Sequence, residues 1–269
     1  GKRKGDVRQM AMFASLFTGL QKATDAMVRV GELTDTTVDQ VADSVRHYKT
    51  ASKLLEPYKG LLDVWVSEWF GHEGIQELFR DRPEEVEAAV KAAVHDRDRP
   101  RTVPPGVWDR VRQALSEARK RRFFHWELEF PEVWQKDGAE KKESGFDVTL
   151  GNPPYVRIQS MDKTLAAYLK ERFTSCRGKF DMYLPFVEQS FDLLGDDGLS
   201  GHIVPNKFLT ANYGAGLRHV VSQSNALARL VDFRDSQVFP GVSIYTCLLF
   251  LSSRSRENAV TAVSERTRV

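Results

Sequence analysis

The sequence predicts an α/β protein in which an open sheet follows an all-helical region. Two patterns carry that reading. Apolar residues recur at helical spacing from residue 6 to about 122, and beyond 123 short apolar runs alternate with amphipathic stretches. The expected division is therefore 1–122, helical, and 123–269, sheet-bearing.

In the first region, Met10, Phe13, Leu16, Phe17, Leu20, Ala23 and Met27 share one helical face. "DTTVDQVADSVRHYKTASKLL" continues the period, with Asp35 or Thr36 placed to cap it. "RPEEVEAAVKAAV" starts with a proline and two glutamates, a strong helix opening. After the breaker "DRPRTVPPG", the residues Trp108, Val111, Leu115 and Ala118 form another stripe, ending in the basic run "ARKRR". That run reads as a solvated helix end favoured by the helix dipole. About five helices are expected before residue 122.

In the second region the strand candidates are "FFHWELEF", "DVTLG", "SGHIVP", "LARLVDF" and "IYTCLLFL". The helix candidates are "DKTLAAYLKERF", "DMYLPFVEQSFDLL" and a stretch near "GAGLRHVVSQS". This alternation predicts a sheet covered on both faces, with ligands at the carboxyl ends of its strands. Trp126 and Trp134 are expected to fasten the first arm to that sheet, and His202 reads as a satisfied core histidine.

The chain has 269 residues, 41% of them hydrophobic and 28% charged, which is the composition of a globular protein with a core. A net charge of +2 permits a nucleic-acid partner without demanding one. Cys176 and Cys247 are the only cysteines. Two isolated thiols point to a reducing, cytoplasmic setting and away from a disulfide scaffold. The six histidines lack ligand spacing, so no metal site is expected, and no apolar run is long enough to span a bilayer.

The informative stretch is "GFDVTLGNPPYVRIQ", residues 145–159. It reads as a buried strand stopped by two prolines. These fix their own φ and force the residue before them to be extended. Neither offers an N–H, so Pro153 presents a bare carbonyl beside the side-chain oxygen of Asn152. Two rigid acceptors at a strand end suit the two hydrogens of an exocyclic amino group. Drawing on both hydrogens localises the nitrogen lone pair and makes a weak nucleophile usable, and Tyr155 is placed to stack on the ring bearing the amine.

With "GKFDMYLPFVEQSFDLLGDDGLSGHIVPNKFL" and "VFPGVSIYTCLLFL" downstream, and "FFHWELEFPEVW" upstream, the stretch resembles the N6-adenine DNA methyltransferases. The likeness is to the large type IIG restriction-modification enzymes and related phage-defence methylases, over roughly residues 123–252. It implies a partial Rossmann-like methyltransferase sheet, S-adenosylmethionine as cofactor and DNA as partner. It further implies that Asn152 and the Pro153 carbonyl accept from the target amine, while Tyr155 and Phe239 stack on the flipped base. Phe186, Pro154 and Asn152 would border the cofactor, and Lys179 and Asp181 of "GKFD" would play a supportive part. No metal ligand is implied. A glutamine-amide protein methyltransferase shares "NPPY" and is the alternative within enzymes. A non-catalytic DNA-binding or assembly module of a defence complex is the alternative outside them.

The family's glycine-rich cofactor turn is not found. "GDDGLSG" (Gly195–Gly201) leads from a helix into a strand, the wrong polarity for a cofactor cradle, and "GAG" at Gly214 has no acidic strand after it. With Gly1 in place of a methionine, this makes the chain an expected fragment of a longer parent, lacking N-terminal and C-terminal parts. Alone it is expected to bind S-adenosylmethionine weakly and to be inactive.

Overall fold

The computed structural model describes residues 17–34, 36–136, 139–140, 144–234, 244–254 and 261–263. The chain divides into two compact units, Gly1–Lys142 and Glu143–Val269. Residues 123–142 therefore go with the helices, where the sequence placed the division at 122/123.

In the first unit, α1 (Phe17–Glu32), α2 (Val38–Val66), α3 (Ile75–Asp81), α4 (Pro83–Ala93) and α5 (Pro105–Arg121) precede two single turns. These are α6 (Trp126–Glu129) and α7 (Pro131–Trp134), followed by the antiparallel two-residue strands β1 (Gln135–Lys136) and β2 (Ala139–Glu140). The cap of α2 is neither Asp35 nor Thr36. The Thr37 hydroxyl accepts from the Gln40 N–H at 3.2 Å, and the Gln40 side chain accepts from the Thr37 N–H at 3.3 Å. This reciprocal pair satisfies two otherwise orphaned donors. Thr36 supports it, donating its N–H to the same Gln40 oxygen at 3.0 Å; Asp35 lies outside the described residues. Leu61, Val64, Ile75, Phe79, Val86, Val90, Val111 and Leu115 form the core of this unit. Gly60 brings α2 against α4, since a Cβ there would lie 2.7 Å from Val94 and 2.8 Å from Val90.

"FFHWELEF" is not a strand. Its apolar residues meet helices instead: Leu128 is buried with Ala23, Ala26, Met27, Ala51 and Leu55. His125 Nε2 lies 2.8 Å from Asp63 Oδ1, and Lys59 pairs with Glu129 at 2.7 Å. Trp126 stacks on Phe130 at 5.9 Å, four residues on, a pairing that a helical turn makes and a strand does not. Trp126 and Trp134 thus belong to the helical unit.

The second unit contains β3 (Phe146–Gly151), α8 (Lys163–Arg172), α9 (Tyr183–Asp192) and β4 (Leu194–Pro205). It continues with α10 (Ala215–Gln223), β5 (Leu227–Asp232), β6 (Thr246–Ser252) and β7 (Thr261–Val263). The sheet order is β3-β4-β6-β5-β7. β3 runs parallel to β4, and β5 to β7, while β6 is antiparallel to both β4 and β5. So β3, β4 and β5 all end at the same side of the sheet. This is the expected α/β class, in a mixed sheet.

One face of that sheet is covered. Leu169 of α8, Tyr183, Leu184 and Val187 of α9 and Leu217 of α10 pack with Val204, Cys247, Leu249 and Leu251. The other face departs from the expectation of cover on both sides. Val148 is 56% exposed, Leu150 79% and Leu199 42%. β3 is an edge strand, not a buried one. An apolar run is equally compatible with an interior strand and with an edge awaiting a neighbour, so its composition could not separate the two. Among the described residues no helix is long and apolar enough to cross a membrane.

The two faces make a direct contrast. Leu249→Ala should destabilise the chain by about 2–5 kcal/mol, whereas Leu150→Ser should change it by less than about 0.5 kcal/mol. Chemical denaturation of the two variants measures both, and equal costs would contradict an open face.

Candidate functional site

The site is built where β3 stops. Asn152 is exposed, Pro153 buried, Pro154 exposed and Tyr155 half-buried, all in extended, irregular backbone. The Tyr155 hydroxyl lies 3.1 Å from Asn152 Oδ1 and 3.2 Å from the Ile203 carbonyl on β4, and donates between them. With the hydroxyl as donor, the Asn152 amide turns its oxygen toward Tyr155. Oδ1 has two lone pairs, so one stays open for a second donor. Burial raises the Tyr155 phenol, with a smaller push from Cys247, so it stays protonated and remains a donor.

Tyr155 rests on an aromatic floor. Its ring meets Tyr183 edge-on at 6.1 Å, and Tyr183 meets Phe208 at 6.5 Å. The buried Tyr183 hydroxyl is 3.3 Å from that of Tyr213. The chain after the turn is pinned as well. The Met182 N–H donates to the Val156 carbonyl at 2.7 Å and the Ile158 N–H to the Phe180 carbonyl at 3.0 Å. These bonds set Arg157 opposite Asp181 in an isolated antiparallel bridge. "GKFD" therefore serves as a second rail for the turn. Burial raises the Asp181 carboxyl, against the pull of Arg157 and Lys207. Asp181 does not cap α9 through its side chain, and Lys179 is exposed. Phe186 projects from α9, 48% exposed, one turn beyond Tyr183.

Phe239 lies outside the described residues, but the two ends of its stretch are held by one side chain and backbone. Asn206, next after β4, donates its amide to Asp232 Oδ1 at 2.9 Å and to the Arg234 carbonyl at 3.1 Å. Its backbone N–H donates to the Tyr245 carbonyl at 3.0 Å. The Arg234 N–H completes the clasp on Asp232 Oδ1 at 2.9 Å. The sequence reading passed over Asn206 and Asp232. Their signal was positional: each sits at the carboxyl end of a strand parallel to β3.

The arrangement offers one acceptor, Asn152 Oδ1, at an exposed strand end, followed by two residues, 153 and 154, that have no backbone N–H to compete. Its two thiols are not activated nucleophiles: Cys176 and Cys247 are buried and pushed up to about 12, mainly by desolvation. Among the described residues no group of three or more His, Cys, Asp or Glu could hold a metal.

The model of the Eco57I restriction-modification methylase family matches residues 49–239. It begins well inside the helical unit, which the sequence reading had left outside the resemblance. The chain is 38% identical over 117 residues to the type II restriction enzyme and methyltransferase RM.Eco57I of Escherichia coli, covering 42% of this chain and 12% of that one. It is 29% identical over 129 residues to the type II methyltransferase M.BstVI of Geobacillus stearothermophilus, covering 48% and 23%. The adenine-specific methyltransferase PglX of Streptomyces coelicolor is 32% identical over 79 residues, 27% of this chain and 6% of that one. The chain thus spans less than a quarter of the length of these relatives.

The buried thiols give a pH test. A native thiol held up to about 12 keeps its proton where an unfolded one, near 8.5, has lost it. The native state then binds more protons, so stability is full below about pH 8.5 and falls as pH rises from there. Denaturation midpoints across that range should decline, and neither thiol should react with a maleimide at pH 8 without denaturant. Rapid labelling of the folded chain would contradict their burial.

Proposed function

The chain belongs to the Eco57I restriction-modification methylase family, and we propose that it carries the target-amine site of a DNA methyltransferase specific for adenine N6. The parent would work in restriction-modification or phage defence, with DNA and S-adenosylmethionine as its substrates. The observation that carries this reading is the Asn152 oxygen, held by the Tyr155 hydroxyl at the carboxyl end of β3, one residue before Pro153.

S-adenosylmethionine supplies a methyl group already activated by a sulfonium. The chain's residues then have only to hold and polarise the amine. Asn152 Oδ1 takes one N–H of the amine with its free lone pair, and the Pro153 carbonyl takes the other. As the nitrogen pyramidalises, both hydrogens become more acidic and both bonds strengthen, so the acceptors favour the transition state over the ground state. The two acceptors would hold the amine until, with the methyl taken up and the cofactor's sulfur released neutral, its surplus proton passes to water. No covalent enzyme intermediate is needed, which fits a site without an activated nucleophile. Tyr155 lies below the base, and Phe239 is the candidate for its other face. Phe186, exposed near the turn, with Pro154 and Asn152, would border the cofactor; Lys179 and Asp181 act through the rail that steadies the turn.

The open edge of β3 and the exposed Val148, Leu150 and Leu199 support a further part of the reading: other segments of the same polypeptide complete the sheet and bring the glycine-rich cofactor turn. Leu150→Ser, near neutral in this chain, should then destabilise the full-length protein by about 2 kcal/mol or more. Equal, small effects in both would remove this support. Calorimetry should find weak S-adenosylmethionine binding, or none, to residues 1–269.

Asn152→Ala in the full-length protein should lower methyl transfer about a hundredfold or more while DNA affinity stays within about twofold, because phosphate contacts dominate it. Tritium transfer beside a gel-shift titration separates the two. Near-wild-type transfer would refute the amine clamp and return "NPPY" to being a turn.

A further inference from the structure

Behind the turn sits a histidine that packing alone does not explain. His202 on β4 is 4% exposed and pairs in register with Gly151, the residue immediately before Asn152. Its Nε2 is 2.7 Å from the hydroxyl of Ser200, itself buried. Its Nδ1 is buried and forms no hydrogen bond. The ring lies directly over Gly151, where a Cβ would stand 2.9 Å from Nδ1 and 3.1 Å from Cε1. Nδ1 therefore faces the Gly151 backbone from just outside bonding geometry. The expectation of a satisfied core histidine holds for one nitrogen and fails for the other.

A leucine or phenylalanine would fill this volume without stranding a polar atom, and buried polar atoms without partners are rare in native structures. Burial lowers His202 below the usual imidazole range, against a smaller upward pull from the Gly151 backbone, so the ring is neutral at physiological pH. A neutral imidazole whose Nε2 accepts the Ser200 proton carries its own proton on Nδ1. That leaves a buried N–H, held by Ser200, aimed at the peptide from which Asn152 departs.

We propose that Ser200 and His202 form a latch for the Asn152 turn, in which His202 Nδ1–H closes onto the Gly151 carbonyl and fixes the peptide plane that aims Asn152 at the target amine. His202 is a positioning residue on this account: it touches neither base nor cofactor. Gly151 is the matching element, because any side chain there would displace the ring. The inference rests on the proposed amine site, and it adds the reason that Asn152 keeps one direction although exposed.

The test has two arms. In the full-length methyltransferase, His202→Leu should lower kcat about tenfold, the worth of one hydrogen bond to the turn, with KM for DNA unchanged. His202→Asn, whose amide N–H reaches the Nδ1 position, should recover most of that loss, and Ser200→Ala should fall between. Equal kcat for the leucine and asparagine variants, or a wild-type value for both, would overturn the latch. In residues 1–269, the side-chain amide resonances of Asn152, read by nitrogen-15 NMR, should shift in His202→Leu and stay near wild type in His202→Asn. The same shift in both variants, or in neither, would also overturn it. Should the NMR differences hold while the full-length wild type transfers no methyl group, the latch stands and the proposed function fails.

Discussion

The single proton of the Tyr155 hydroxyl, shared between Asn152 Oδ1 at 3.1 Å and the Ile203 carbonyl at 3.2 Å, is the contact on which the candidate site depends. It ties three things together: the direction of an exposed amide, the end of an edge strand, and the neighbouring strand β4. An exposed asparagine otherwise turns freely about χ2, a broad two-fold torsion, and a half-turn exchanges acceptor for donor. The prolines remove backbone freedom on one side of Asn152. Gly151, against the His202 ring, removes side-chain freedom on the other. Tyr155 itself is kept in place by Tyr183 and, through the backbone of 156–158, by residues 180–182. The neighbours that orient the acceptor, Tyr155 above all, are themselves held by packing and hydrogen bonds.

The same organisation sets the candidate site where three strands end. β3, β4 and β5 run in one direction, and their carboxyl ends carry Asn152, Asn206 and Asp232 in turn. Asn152 presents an oxygen outward. Asn206 and Asp232 turn inward to clasp Arg234 and Tyr245, the two residues that flank the stretch holding Phe239. The mixed sheet places the ends of β3 and β4 side by side, with the end of β5 one strand further on, beyond the antiparallel β6.

The later strands and helices were legible because their signals are local. "DKTLAAYLKERF", "SGHIVP" and "IYTCLLFL" each have one clean period bounded by a turn, and each forms the element it predicts. The turn was legible because two prolines after an asparagine constrain backbone whatever surrounds them. What failed were judgements needing a neighbour. Residues 123–130 alternate like a strand, but the surfaces they meet are helices, and Trp126 and Phe130 pair across a helical turn. "DVTLG" is apolar like a central strand yet stands at an edge, since its own residues say nothing of the strand beside it. The half-satisfied His202 was equally hidden: a sequence can call a histidine buried, but only geometry shows which nitrogen lacks a partner.

On the proposed reading, this turn presents an adenine amine for methylation. The direct measurement is the chemical identity of the product. Duplex DNA would be incubated with the full-length protein and isotopically labelled S-adenosylmethionine, digested to nucleosides and resolved by mass spectrometry, with the protein fraction analysed in parallel. The account predicts label in N6-methyladenine. Label in another base, or only in methylated glutamine of protein, would contradict it.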